Sequence, residues 1–258
     1  MDGNNNTFKR YMEVGLAVLI VLSLGIAGAT GVLSPRADKS ERTEAAAETG
    51  NAGSEEGSSK EASKSGGTAE SGSAETQEAI ADGQYPIMGS SDITVQEMVD
   101  YFNSSGRTYP AEELSEGGAD SIETFCQMYY DEAMAEGVRP EVAFAQTMKE
   151  TGFLQYGGDA SIEQFNFAGL GTTGNGVPGN SYPDVQTGIR AQIQHLKAYA
   201  TSDALNRECV DDRYEYVKKG SAPYVQWLGQ QENPEGLGWA TGDNYGYDIV
   251  GMIEDMMD

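Results

Sequence analysis

Beyond about residue 90, apolar side chains return every third or fourth position, in runs punctuated by glycine and proline. Val95, Met98, Val99 and Phe102 predict one face of a helix from Thr94 to Asn103, with Ser91-Asp92 as its cap and Ser104-Ser105-Gly106 as its stop. Ile122, Phe125, Cys126, Tyr129 and Met134 stripe a longer helix, capped by Asp120 or Ser121 and broken at Gly137. Pro140 opens a run that reaches Glu150, since its missing N–H costs nothing at a first helical position. Gly152 suits the left-handed residue just past that helix's end. Asp184 caps a helix from Val185 to Ala200; shorter helices are predicted near Asp212–Lys218 and Pro223–Leu228, and a last one from Asn244 to Met257. Residues 152–183, rich in Gly, Asn and Pro, predict irregular structure or a short hairpin. Strand-like alternation is nearly absent, so the pattern predicts a compact, mainly α domain with a loop-rich lobe after the Glu150 helix and a cleft where the two meet.

The first 90 residues read differently. Lys9-Arg10 precede an uncharged run from Val14 to Leu33, about 20 residues and enough to cross a bilayer as a helix. The basic pair favours a cytoplasmic N-terminus, residues 1–13, and a single-pass anchor at 14–33 in the cell membrane. Cleavage as a signal peptide at Ala27-Gly28-Ala29, giving a secreted protein, is the alternative. From residue 34 to 90 the chain is almost wholly Ser, Gly, Ala, Glu, Thr and Lys, which predicts a disordered tether to an extracytoplasmic domain at 91–258.

The chain carries a formal net charge of −25. Nucleic acid and anionic polymers are poor partners for such a surface, whereas a neutral or zwitterionic glycan is not excluded. No heptad run or repeat points to an oligomer, so a monomer is expected. Cys126 and Cys209 either form one disulfide outside the membrane or stay as separate thiols. The lone histidine, His195, cannot supply a zinc site with two distant cysteines, and no Gly-x-Ser-x-Gly elbow or phosphate-binding loop is present. No metal or cofactor is expected. Cys126 sits in an apolar stripe that reads as core.

Carboxylate chemistry remains, and Glu150 leads. A carboxylate in the last turn of a helix meets the negative end of the dipole, which disfavours its ionisation. Ala143 and Gln146 or Thr147 share its face, while Lys149 projects about 100° away. A carboxylic acid so placed suits general-acid work near neutral pH.

The segment from Gly137 to Phe153, Gly-Val-Arg-Pro-Glu-Val-Ala-Phe-Ala-Gln-Thr-Met-Lys-Glu-Thr-Gly-Phe, resembles the catalytic-helix motif of bacterial glucosaminidases, the endo-β-N-acetylglucosaminidase-like domains of autolysins and flagellar muramidases. Asn166-Phe-Ala-Gly-Leu170, the helix after Tyr182, and Trp239-Ala-Thr-Gly-Asp-Asn-Tyr245 are similar to the family's later motifs, in the same order. The last segment departs from the family pattern by a Trp for a Tyr and one extra Gly. The resemblance implies a lysozyme-like fold and cleavage of the β-1,4 bond after N-acetylglucosamine in peptidoglycan. It implies Glu150 as general acid, Tyr245 as active-site tyrosine, and Asn166, Phe167 and Gly169 in the substrate groove. Tyr156 and Trp239 are aromatic candidates for sugar contact. Glycosidases usually pair two carboxylates. Asp159 and Glu163 are candidates for the second, and the substrate's own acetamido oxygen is a third route. A lytic transglycosylase on the same scaffold, or a glycan-binding module without catalysis, are the alternative functions.

Overall fold

A computed structural model describes residues 83–174 and 176–258. The expected membrane span at 14–33 and the tether up to residue 82 lie outside the described residues. Among the described residues no helix is long and apolar enough to cross a membrane. Six helices organise the domain: α1 (Val95–Ser104), α2 (Ala111–Ser115), α3 (Ile122–Glu136), α4 (Pro140–Thr151), α5 (Val185–Ala200) and α6 (Tyr245–Met257). Turns of 3-10 helix lie at Ile162–Gln164, Tyr214–Tyr216 and Val225–Leu228. Pairing of β type among the described residues is confined to isolated bridges, so the fold is mainly α with little strand.

The core forms around α4, whose residues from Pro140 to Met148 are all buried. It packs against α3, α5 and α6. A helix buried on every side normally carries only apolar residues. This one also holds Glu141, Gln146 and Thr147, all fully buried, and each must therefore find partners inside the protein. Glu141 does so at the N-terminal turn: its Oε1 accepts from Tyr85 Oη at 2.8 Å and its Oε2 from Ser91 Oγ at 2.6 Å.

Those two bonds correct the reading of the chain before α1. Residues 83–90 do not belong to a disordered tether. Ile87 is fully buried, and its backbone bonds both Pro223 and Arg139. Ser91, committed to Glu141, does not cap α1. That role falls to Thr94, which forms a reciprocal capping box with Glu97.

Elsewhere the caps are those predicted. Ser121 accepts the Thr124 N–H, Asp184 accepts the Thr187 N–H, and Pro140 opens α4. Gly152, at φ 60°, adopts the left-handed conformation that ends α4 directly after the turn bearing Glu150. The two short C-terminal helices shrink to single 3-10 turns. In the first, the Asp211 carboxylate is taken by His195 and the Arg213 N–H; in the second, Val225 N–H is committed to Tyr85 O. The short helix α2 was not predicted, because only Leu114 in it is buried. Among the described residues of the lobe at 152–183, β pairing is limited to a single bridge from Gly174 to Val177.

Two buried carboxylates tie α3 to α5. Glu132 receives a bidentate pair from Arg190 at 2.9 Å and further bonds from Arg207 and Gln186. Glu136 receives Lys197 at 2.9 Å and two backbone N–H groups. Burial acts to raise both carboxyls, but these donors outweigh it and hold them below the ordinary range. Cys126 is buried in the core and Cys209 is exposed, both as free thiols.

The start of α6 is set by close backbone approach. A Cβ at Gly246 would lie 2.1 Å from Val225 O and 2.5 Å from Gln226 Cα, so only glycine lets α6 dock on the 225–228 turn. Asn244 N–H is held by Glu232 Oε1 at 2.8 Å. Together these contacts fix Tyr245. Gly246→Ala is expected to lower stability by about 1–3 kcal/mol or more through overpacking, read as a lowered midpoint in urea unfolding.

Candidate active site

Glu150 occupies the last turn of α4, half-buried, with Lys149 of the same helix and Tyr245 of α6 acting on it. Tyr245, the first residue of α6 and 6% exposed, donates its Oη–H to Glu150 Oε1. Lys149 projects sideways and pairs with Asp248 of α6 at 2.8 Å, so its charge is largely matched elsewhere. Burial raises the Glu150 carboxyl from its ordinary value of 4.5 to about 7, against the opposing pull of the Tyr245 bond and the Lys149 charge. Tyr245 itself is raised well above its ordinary value, first by burial and then by the adjacent carboxylate, and so stays a neutral donor. Three other buried or partly buried glutamates, Glu132, Glu136 and Glu141, each hold several donors. Glu150 alone among these four has a single neutral hydrogen-bond partner, so burial prevails over that bond and its carboxyl is raised.

A small cleft is lined by Gly169, His195, Tyr199, Arg213, Gln230 and Trp239 with neighbouring residues of the 168–171 and 238–239 segments; Glu150 and Tyr245 do not line it, and Tyr199 is the residue that links it to the pair. Trp239 stands edge-on to His195 at 4.8 Å between centroids and tilts against Tyr199 at 5.7 Å. Tyr199 is close enough to Tyr245 to act on its charge. Trp239 and His195 are 5% and 7% exposed and Tyr199 is half-buried, so the rings form a packed wall of the cleft with Tyr199 the most open of the three.

Of the residues singled out from sequence, the structure joins Glu150 with Tyr245, and places Gly169 and Trp239 in the cleft. Asn166 and Phe167 do other work. The Asn166 amide is consumed by Leu170 and Asn180 backbone, at 2.8, 2.9 and 3.1 Å, and clamps the loop that presents Gly169. Phe167, 1% exposed, packs on Phe125 at 5.1 Å in the core. Tyr156 is half-buried and donates to Asn166 O at 3.2 Å, bracing the same loop. Asp159 and Glu163 are exposed on the 152–166 segment, and no described bond joins either to Glu150 or Tyr245. Sequence reasoning missed His195 and Tyr199 as cleft residues. Their signal is the i, i+4 spacing on α5, which places both rings on one face.

Residues 126–258 match the family described as mannosyl-glycoprotein endo-beta-N-acetylglucosaminidase. The chain is also similar to an uncharacterized protein of Borreliella burgdorferi, 38% identical over 143 residues, which cover 53% of this chain and 70% of that protein. No solved structure matches the chain.

A carboxyl whose folded pKa is raised holds its proton more tightly in the native state, so its contribution to stability is complete below 4.5 and is lost as pH rises through about 7. Glu150→Gln removes that penalty. The variant is expected to exceed the parent in unfolding free energy by about 1–3 kcal/mol at pH 8 and to match it near pH 4, measured by urea unfolding at both values.

Proposed function

From a chain that belongs to the mannosyl-glycoprotein endo-beta-N-acetylglucosaminidase family, and hence to the glycan-cleaving hydrolases, we propose a cell-wall enzyme that cuts the β-1,4 bond after N-acetylglucosamine in peptidoglycan. The observation that carries this reading is the Glu150 carboxyl at the end of the buried helix, held by the Tyr245 hydroxyl and raised to about 7. The scaffold is of lysozyme-like, mainly α type, and the acid stands at the end of its buried helix. Substrate lies along Trp239, Tyr199 and the Gly169 loop with the scissile oxygen against Glu150. Glu150 gives its proton to the leaving oxygen as the C1–O bond breaks. The resulting carboxylate keeps the Tyr245 hydrogen bond, which strengthens as negative charge forms on the acid.

The positive charge growing on the sugar is met by the substrate's acetamido oxygen or by a loop carboxylate, Asp159 or Glu163. Exposure leaves both loop residues available to a bound glycan. The N-terminal apolar run anchors the enzyme in the membrane, and the polar segment after it lets a monomeric domain reach the wall.

Glu150→Gln is expected to lower peptidoglycan clearance by about 100-fold or more, the usual range for loss of a general acid. For the parent, kcat/KM is expected to fall as pH rises above about 7, where the acid loses its proton. Mass spectrometry of the digest is expected to show reducing-end N-acetylglucosamine. Products ending in 1,6-anhydromuramic acid would instead assign a lytic transglycosylase, and glycan binding without new ends would assign a binding module. Asp159→Asn and Glu163→Gln separate the second step: a loss of about 100-fold in one identifies the loop carboxylate. Near-parent rates in both identify the acetamido route.

A further inference from the structure

The hydrogen bond between Tyr245 and Glu150 is the outer end of a buried chain that runs across α4 to α5 and α3. Gln146 Nε2 donates to Tyr245 Oη at 3.1 Å. Gln192 Nε2 donates to Gln146 Oε1 at 2.9 Å and to the Ala143 carbonyl at 3.0 Å. Gln192 Oε1 lies 2.7 Å from Tyr129 Oη and 2.8 Å from Thr147 Oγ1, which meet each other at 2.6 Å; one hydroxyl donates to the Gln192 oxygen and the other to its fellow hydroxyl. Gln146, Gln192, Tyr129 and Thr147 are each fully buried, so water does not compete for any of these atoms.

The polarity of this chain is not free. A backbone carbonyl only accepts, so Ala143 O forces the nitrogen of Gln192 to face it. The same nitrogen then faces Gln146, which must present its oxygen there and its own nitrogen to Tyr245. Tyr245 Oη receives that N–H, and its one proton is directed to Glu150 Oε1. Flipping either glutamine would set donor against donor or acceptor against acceptor inside the core, at a cost of about 1–3 kcal/mol for each buried group left unmatched.

We propose that Gln146 and Gln192 are positioning residues that fix Tyr245 as a one-way donor to Glu150 Oε1, so that the proton delivered to the leaving oxygen is carried on Oε2. This rests on the reading of Glu150 as the general acid. Oε1 is occupied as an acceptor in both protonation states, and Oε2 is the oxygen left to hold the proton. During cleavage the Oε2–H bond breaks, an O–H bond forms on the glycosidic oxygen, and that oxygen keeps the electron pair of the broken C1–O bond. The carboxylate left behind is already facing a donor polarised from behind by the Gln146 N–H, so no group has to reorient as charge forms.

The groups that face Glu150 are Tyr245 from α6 and Lys149 from α4, the latter paired with Asp248; Tyr199 of α5 lies beyond Tyr245. The test is the Glu150 titration in the full-length chain carrying 13C-carboxyl glutamate, with the resonance identified by its loss in Glu150→Gln. Tyr245→Phe is expected to raise the midpoint by about one pH unit, and Gln146→Met by about half as much. Because Gln146 acts through Tyr245, adding Gln146→Met to Tyr245→Phe is expected to move the midpoint no further. An unchanged midpoint in Gln146→Met, or an additive shift in the double variant, overturns the proposal. Should Gln146→Met fail to fold, the Gln146 side-chain amide of the parent is read instead. Its resonances are expected to shift with the Glu150 midpoint and to stop doing so in Tyr245→Phe, and an amide indifferent to that titration overturns the proposal equally. A parent that binds but never cleaves glycan would end the enzymatic reading while leaving the titration free to judge the relay.

Discussion

The Gln192 side-chain amide, buried between α4 and α5, is the interaction on which the site's geometry rests. Its nitrogen is committed to the Ala143 carbonyl and to Gln146, and its oxygen to the Tyr129 and Thr147 hydroxyl pair. Both polar atoms of this fully buried amide are paired. Unpaired, such a group would oppose folding; fully paired, it fixes the rotation of α4 against α3 and α5. Because Glu150 shares the α4 face of Gln146 and Thr147, that rotation also sets the direction in which the acid points.

The same economy of partners separates one glutamate from the others. Glu132 and Glu136 meet arginine, lysine and backbone N–H groups, stay ionised and join α3 to α5. Glu141, at the favourable N-terminal end of α4, accepts from Tyr85 and Ser91 and binds the entering chain to the core. Glu150 stands at the opposite end of that helix, where the dipole opposes its charge and one phenol is its partner. A single helix thus carries a structural carboxylate at its start and a protonatable one at its finish, and their surroundings assign the roles.

The cleft is assembled from segments far apart in sequence. Asn166 clamps the loop that presents Gly169, α5 supplies His195 and Tyr199, and the 230–240 segment brings Gln230 and Trp239. Asp211 holds the His195 ring at 2.6 Å and so ties the loop after α5 to the same wall. Gly246 lets α6 dock closely enough for Tyr245 to reach Glu150 across this surface. The surroundings of Glu150 therefore depend on packing contacts made well away from it.

Local rules were enough to determine the long helices, their main caps and the place of Glu150. Pro140, Gly152 and Asp184 act through backbone geometry that depends on near neighbours alone. The order of motifs from Gly137 to Tyr245 also carried the family. What sequence did not disclose was which polar residues face inward. Asn166 and Phe167 read as groove residues, yet one spends its amide on a loop and the other packs on Phe125. Residues 83–90 read as tether because no apolar periodicity runs through them, yet Ile87 fills a fully buried site and Tyr85 bonds Glu141. Only the tertiary structure could decide these, because burial and hydrogen-bond direction are set by partners many residues away, as Ala143 sets Gln192 and, through it, Tyr245.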